Sequence, residues 1–195
     1  RQRQMCIRDS LWFCDEDYAR LGSRIKMNPA VKSRADRDAL RQGLRDGRID
    51  IVATDHAPHL PAEKEGDALT AASGAPMVQF SLPVMLELAD MGVFTHQLVV
   101  DKMCHAPARL YDIMGRGFIR EGYMADLVLV KPGEAYTVTD DMVLSRCGWT
   151  PLAGTTLHNR VTDTWVNGHR ACRDGKVDDT VRGTELRYGG KQLEN

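Results

Sequence analysis

No apolar run in this sequence approaches the roughly 20 residues needed to cross a bilayer. The longest pieces, such as Asp126-Leu-Val-Leu-Val130, read instead as buried strands. Nor is either charge in excess: 26 lysines and arginines stand against 27 aspartates and glutamates, a formal net charge of −1. That balance sets up no long-range field, so neither nucleic acid nor a membrane is expected as a partner. Cysteines are few and poorly placed for pairing. The five (Cys6, Cys14, Cys104, Cys147 and Cys172) are odd in number, and none is spaced C-x-x-C. This argues against a disulfide framework or a structural zinc knuckle and points to a reducing, cytoplasmic compartment. Glycine-rich phosphate loops, internal repeats and low-complexity tracts are also lacking. With 43% hydrophobic and 27% charged residues over 195 positions, disordered, collagen-like and coiled-coil classes are excluded, and the chain is long enough for a globular core.

Two textures follow one another along the chain. Residues 1–10 are basic and aperiodic, resemble translated adaptor sequence, and are expected to be a non-native scar outside the fold. Residues 11–116 have an α/β rhythm. Ser33 with Asp36 three residues later forms a capping-box pattern that opens a helix over 34–46, and Gly47 stands where a terminating glycine belongs. The run from Ile49 to Thr54 is β-branched and almost continuously apolar, as in a strand buried on both faces of a parallel sheet. A long loop to about Pro76 follows. The pattern then predicts a helix over 77–91 that Pro83 kinks, a helix from Thr95 through Met103, and a short one over 107–113. Residues 117–180 are β-rich, with Asn167-Gly168 between two extended runs as a strong hairpin signal. Residues 181–195 are a polar tail.

The residues best suited to chemistry are Thr54-Asp55-His56-Ala57-Pro58-His59. They follow a buried strand, and in parallel barrels the C-terminal strand ends carry the active site. A carboxylate there can ligate a divalent metal, take a proton from water, or do both. The plainer alternative is an aspartate that caps its loop beside two surface histidines. His96 and His105 have no neighbouring ligand at metal spacing, and His158 and His169 read as solvent-facing.

Taken with the upstream Lys26-Met-Asn-Pro-Ala-Val-Lys32 and Asp36-Arg-Asp-Ala-Leu40, the run Ile49-Asp-Ile-Val-Ala-Thr-Asp-His-Ala-Pro-His59 resembles the dihydroorotase family of the amidohydrolase superfamily. Ala75-Pro-Met-Val-Gln79, the stretch from Asn159 to Val166 and Val166-Asn-Gly168 are similar to the same family. The resemblance implies the C-terminal part of a TIM (β/α)8 barrel followed by part of a small β-sandwich. It implies reversible cyclisation of N-carbamoyl-L-aspartate to L-dihydroorotate in pyrimidine biosynthesis, with zinc as the metal and a small-molecule substrate. It gives Asp55 the role of metal ligand and proton shuttle, and Asn28, His59, Ser73 and Gly74 the role of substrate binders. A homo-oligomer is left open.

One departure from the family pattern matters. The family's His-x-His pair, its carboxylated lysine and its further histidines all precede the Asn-Pro loop, and this chain has no histidine before His56. One aspartate cannot hold a binuclear centre, so the polypeptide as written is expected to be inactive and to bind no stoichiometric zinc. Two rival readings stand beside this one. One is another cyclic amidase, such as an allantoinase or dihydropyrimidinase, which would not need the anion-binding His59. The other is a non-catalytic scaffold of the same fold.

Overall fold

A computed structural model describes residues 5–7 and 9–189, with side chains from Ser10 onward. The expectation for residues 1–10 falls partly outside the described residues, as does the end of the 181–195 tail. The chain is α/β, with a mainly helical first part and a β-sheet in the second.

The first part opens with strand β1 (Met5–Ile7) and helices α1 (Asp9–Trp12) and α2 (Tyr18–Leu21), and continues with α3 (Arg34–Arg45) and β2 (Ile51–Ala53). The capping box forms as expected: the Asp36 N–H donates to Ser33 Oγ and the Ser33 N–H to Asp36 Oδ2, each at 3.2 Å. Gly47 turns the chain after α3 at φ 69°. β2 is shorter than the apolar run suggests and pairs in parallel with β1 in the register Cys6↔Val52. A strand over 5–7 was not anticipated. Met-Cys-Ile is a short apolar triplet between polar residues, and its pairing supplies partners for backbone groups of β2.

Helix α4 (Ser81–Asp90) is buried over most of its circumference and stands between two core clusters. Val84 packs with Phe13, Ile25, Met77, Leu152 and Leu157; Met85 and Leu88 pack with Leu11, Leu44 and Val99. Pro83 does not kink α4 as expected. It is the helix's third residue, where no intrahelical N–H bond is lost. The two helices expected after Thr95 are one run: α5 (His96–Val100), a π-helical turn over Asp101–His105 and α6 (Ala106–Leu110). Pro107 cannot donate to Met103 and its ring crowds that carbonyl, so the wider turn takes up the conflict without ending the helix. Thr95 caps the run, its Oγ1 accepting from the Leu98 N–H at 3.1 Å. The buried Lys102 ammonium ties the run to the approach to β2, donating to the Ile49 carbonyl at 2.8 Å.

The second part is an antiparallel sheet ordered β3 (Leu127–Thr137), β4 (Thr156–Val166), β5 (His169–Arg173) and β6 (Lys176–Val177). Asn167 and Gly168, at φ 52° and 81°, make the expected two-residue turn. Asp174 and Gly175, at φ 46° and 77°, make a second one between β5 and β6. Val128 and Leu129 are about half exposed, at 46% and 53%; the expectation of a buried strand at 126–130 is corrected, because β3 lies at the edge of the sheet among the described residues and neither of its faces is fully covered. The sheet meets α4 through polar contacts as well as through Leu157. His158 does not simply face solvent: its N–H and Nδ1 contact the buried Glu87 carboxylate at 2.8 and 2.9 Å. Asn159 Nδ2 donates to Asp90 at 2.6 Å.

Candidate functional site

Three loops converge at the C-terminal end of β2: the Asn-Pro loop at 26–29, the Asp55–His59 turn and residues 72–76. The chain leaves β2 through Asp55, whose φ of 43° is left-handed. Aspartate tolerates that conformation better than most residues, but it still costs about 1–2 kcal/mol. The carboxylate is exposed at the strand end. The next residues run alongside the 72–76 segment: His56 bridges in parallel to Ala75, and the Ala57 N–H donates to the Ala75 carbonyl at 3.2 Å.

That pairing brings the expected substrate-binding residues together. His59 Nε2 lies 3.0 Å from the Ser73 carbonyl. A carbonyl only accepts, so Nε2 carries a proton. The other ring nitrogen, Nδ1, lies 3.9 Å from Glu63. Asn28 Nδ2 donates to Ser73 Oγ at 3.2 Å, and the serine keeps its own proton to offer. Gly74 closes the group. At φ 134°, an added Cβ would lie 2.5 Å from the Ala57 Cβ and 3.3 Å from the His59 ring. Only glycine lets the backbone pass this close to the His59 turn. Asn28, Ser73, His59 and Gly74 thus form one cradle, with Asp55 at the head of the turn that carries His59.

Two contributors were not anticipated. Trp149, on the long connection before β4, donates its indole N–H to the His59 carbonyl at 2.8 Å and holds the turn from outside. Lys64 lies buried beneath the cradle and donates to three carbonyls. A lone tryptophan in a loop is a readable signal; a lysine between Glu63 and Glu65 looks like a solvated charge. An open cleft of about 390 Å³ lies on the other side of the turn, walled by His56, Phe80 and residues 143–145. It does not include the cradle.

A family model described as "Amidohydrolase family" matches residues 2–171. The chain belongs to the amidohydrolase family. It is 42% identical over 144 residues to a dihydroorotase of Halobacterium salinarum, covering 74% of this chain and 34% of that protein. It is 37% identical over 155 residues to a dihydroorotase of Clostridioides difficile, covering 79% and 36%. It therefore spans about a third of the length of these relatives. Among solved structures, it matches an L-hydantoinase (dihydropyrimidinase) from Arthrobacter aurescens with a TM-score of 0.86 at 26% identity, over 94% of this chain and 41% of that one.

Amidohydrolases are generally metal-dependent, so the fit of these residues to a metal can be tested. Among the described residues, no three His, Cys, Asp or Glu side chains come together as a metal-binding group. His56 Nδ1 accepts the N–H groups of Met77 and Val78 at 3.0 and 3.2 Å, which occupies that lone pair. His59 Nε2 is held by Ser73. Asp55 at the strand end is a single carboxylate. The described residues thus offer single candidate ligands and no ready group of three.

Proposed function

We propose that this chain is the C-terminal portion of a dihydroorotase. In this reading residues 11–116 supply the last strands and helices of a (β/α)8 barrel, residues 117–180 part of a small β-sandwich, and residues 181–195 a polar tail; residues 5–7, expected to lie outside the fold, pair with β2 and go with the barrel part. The intact enzyme interconverts L-dihydroorotate and N-carbamoyl-L-aspartate and uses zinc. Its substrate is a cyclic amide that carries a carboxylate.

The observation that carries the reading is the cradle itself: Asn28, Ser73 and His59 joined by hydrogen bonds on one side of a turn whose head is Asp55. An anionic ring needs donors at one end and a proton acceptor at the other. The second N–H of the Asn28 amide and the Ser73 hydroxyl are donors of the first kind, and the His59 Nε2–H, which the Ser73 carbonyl receives in this structure, is a third once it turns to the ligand. A charge-assisted hydrogen bond from such a group contributes about 1.5–3 kcal/mol. Asp55 is an acceptor of the second kind. As water adds to the ring carbonyl, Asp55 takes its proton; as the C–N bond breaks, Asp55 gives that proton to the departing nitrogen. The left-handed backbone at Asp55 supports the same reading, since strain of this sort gathers at functional positions.

A cyclic amidase for an uncharged ring is the competing reading, favoured by the likeness to the hydantoinase structure. Binding separates the two. L-dihydroorotate and 5,6-dihydrouracil share a ring and differ in the carboxylate. In an NMR titration of the isotope-labelled chain, L-dihydroorotate is expected to shift the Asn28 side-chain amide and the His59 ring, while dihydrouracil leaves them in place. Equal shifts with both ligands, or shifts with dihydrouracil only, overturn the assignment.

A further inference from the structure

We infer that Lys64 is the positioning residue of the cradle: its ammonium grips the backbone on both sides of Ser73 and just before Asn28, and the cradle keeps its binding shape only while that amine is protonated. This rests on reading the cradle as the carboxylate site.

The geometry is specific. Lys64 is only 4% exposed. Its Nζ donates to the carbonyls of Lys26, Ala72 and Gly74 at 3.0, 2.7 and 2.8 Å. An ammonium has three N–H groups, and here three carbonyls receive them. Ala72 and Gly74 flank Ser73, and Lys26 lies two residues before Asn28. The Lys26 carbonyl also receives the Gly74 N–H at 2.9 Å, so Lys64 and Gly74 share one acceptor. The Lys64 backbone is fixed in turn, because the Ser23 hydroxyl donates to its carbonyl. The Lys26 ammonium donates to the Ala71 carbonyl at the far end of the same segment. Residues 71–74 are thus held by two lysines from two other stretches of chain.

None of the three acceptors is a carboxylate. A buried cation without a counter-charge is costly, and such groups gather at functional sites. The charged groups near it are Lys26, its chain neighbours Glu63 and Glu65, and Arg24, which lines a small cleft with Lys64 and Glu65. Burial first, and the neighbouring Lys26 ammonium second, bring the Lys64 pKa down to about 8. A neutral amine has two N–H groups and a lone pair. Deprotonation therefore leaves one of the three carbonyls without a donor and points a lone pair at it, and the 72–74 backbone loosens.

The test is amide hydrogen exchange on the full chain between pH 6.5 and 9.5, corrected for the intrinsic base-catalysed rate. Protection of the Gly74 and Ala72 N–H groups is expected to fall at least tenfold with a midpoint near pH 8, while the amides of α3 hold theirs. In Lys64→Met the same two amides are expected to be unprotected at every pH, with no step. Should that variant fail to fold, the wild-type pH series decides alone. Flat protection at Gly74 across the range, or full protection in Lys64→Met, overturns the inference. L-dihydroorotate binding is measured in the same samples. A protection step near pH 8 without binding supports the lysine's hold on the cradle and overturns the reading of the cradle as a carboxylate site. Binding with flat protection does the reverse.

Discussion

Replacing Gly74 by alanine puts the close approach under the cradle to its hardest test. The added methyl would lie 2.5 Å from the Ala57 Cβ, 3.2 Å from the Ala57 carbonyl oxygen and 3.3 Å from the His59 Cδ2. Neither Ala57 contact can swing aside, because one is a Cβ and the other is backbone. Forcing a group into such a space costs about 1–3 kcal/mol. The φ of 134° adds a conformational penalty of about 1–3 kcal/mol for any residue with a Cβ. The sum, about 2–6 kcal/mol, is a large share of the roughly 5–15 kcal/mol that holds a domain folded. With a denaturant dependence of about 2 kcal/mol per molar urea, Gly74→Ala should lower the urea midpoint by about 1–3 M. The double variant Gly74→Ala with Ala57→Gly removes the 2.5 Å contact and leaves the φ penalty, so it should recover roughly half the loss. A midpoint for Gly74→Ala within about 0.3 M of wild type, or no recovery in the double variant, would refute the reasoning.

Other consequences follow from single groups. Ser33→Ala removes the capping box of α3 and should destabilise the chain by about 1 kcal/mol, seen as a lower urea midpoint with an unchanged slope. The folded chain releases the Lys64 proton at about 8, whereas the unfolded chain keeps it to 10.5, so the unfolded state binds more protons between those values. Stability should therefore rise with pH across that window, by up to about 3 kcal/mol, and Lys64→Met should cancel the rise in a urea series at pH 7.5 and 10. That trend runs opposite to the loosening of residues 72–74, because the burial cost of the charge exceeds what its third hydrogen bond returns. In the intact enzyme that carries this segment, Asp55→Asn should lower L-dihydroorotate turnover by about 10²–10⁴-fold while substrate binding persists; turnover within a few-fold of wild type would remove Asp55 from the proton transfers.

What could be read from the residues was local or strongly patterned. Ser33 with Asp36, Thr95 before its helix and Asn167-Gly168 between extended runs each state a hydrogen bond or a left-handed turn in two or three letters, and each is found. Asp174-Gly175 states the same thing, but its second strand, Lys176–Val177, has only two residues and leaves no alternating pattern in the sequence. The expected kink at Pro83 failed because a proline's effect depends on its distance from the helix start, and the start lies at Ser81. Lys64 was invisible for a different reason. Its three partners are backbone carbonyls 8, 10 and 38 residues away, and a carbonyl has no residue type to recognise. The pairing of His158 with the buried Glu87 was hidden likewise, since the two lie 71 residues apart and meet only when β4 packs on α4. The resemblance points to Asn28, Ser73 and His59 singly, and they lie on three separate loops. Their meeting at 3.0 and 3.2 Å is a product of the fold.

The proposed function requires this cradle to recognise the carboxylate of a cyclic amide through His59, a requirement that follows from its place beside Ser73 and Asn28. It is tested most directly by His59→Ala in the intact enzyme that carries this segment, with the binding of L-dihydroorotate and of 5,6-dihydrouracil measured side by side. Loss of one charge-assisted hydrogen bond, about 1.5–3 kcal/mol, should weaken dihydroorotate by about 10–150-fold and leave dihydrouracil within a factor of about 2. Equal losses for the two rings would show that His59 shapes the pocket without reading the carboxylate, and would contradict the account.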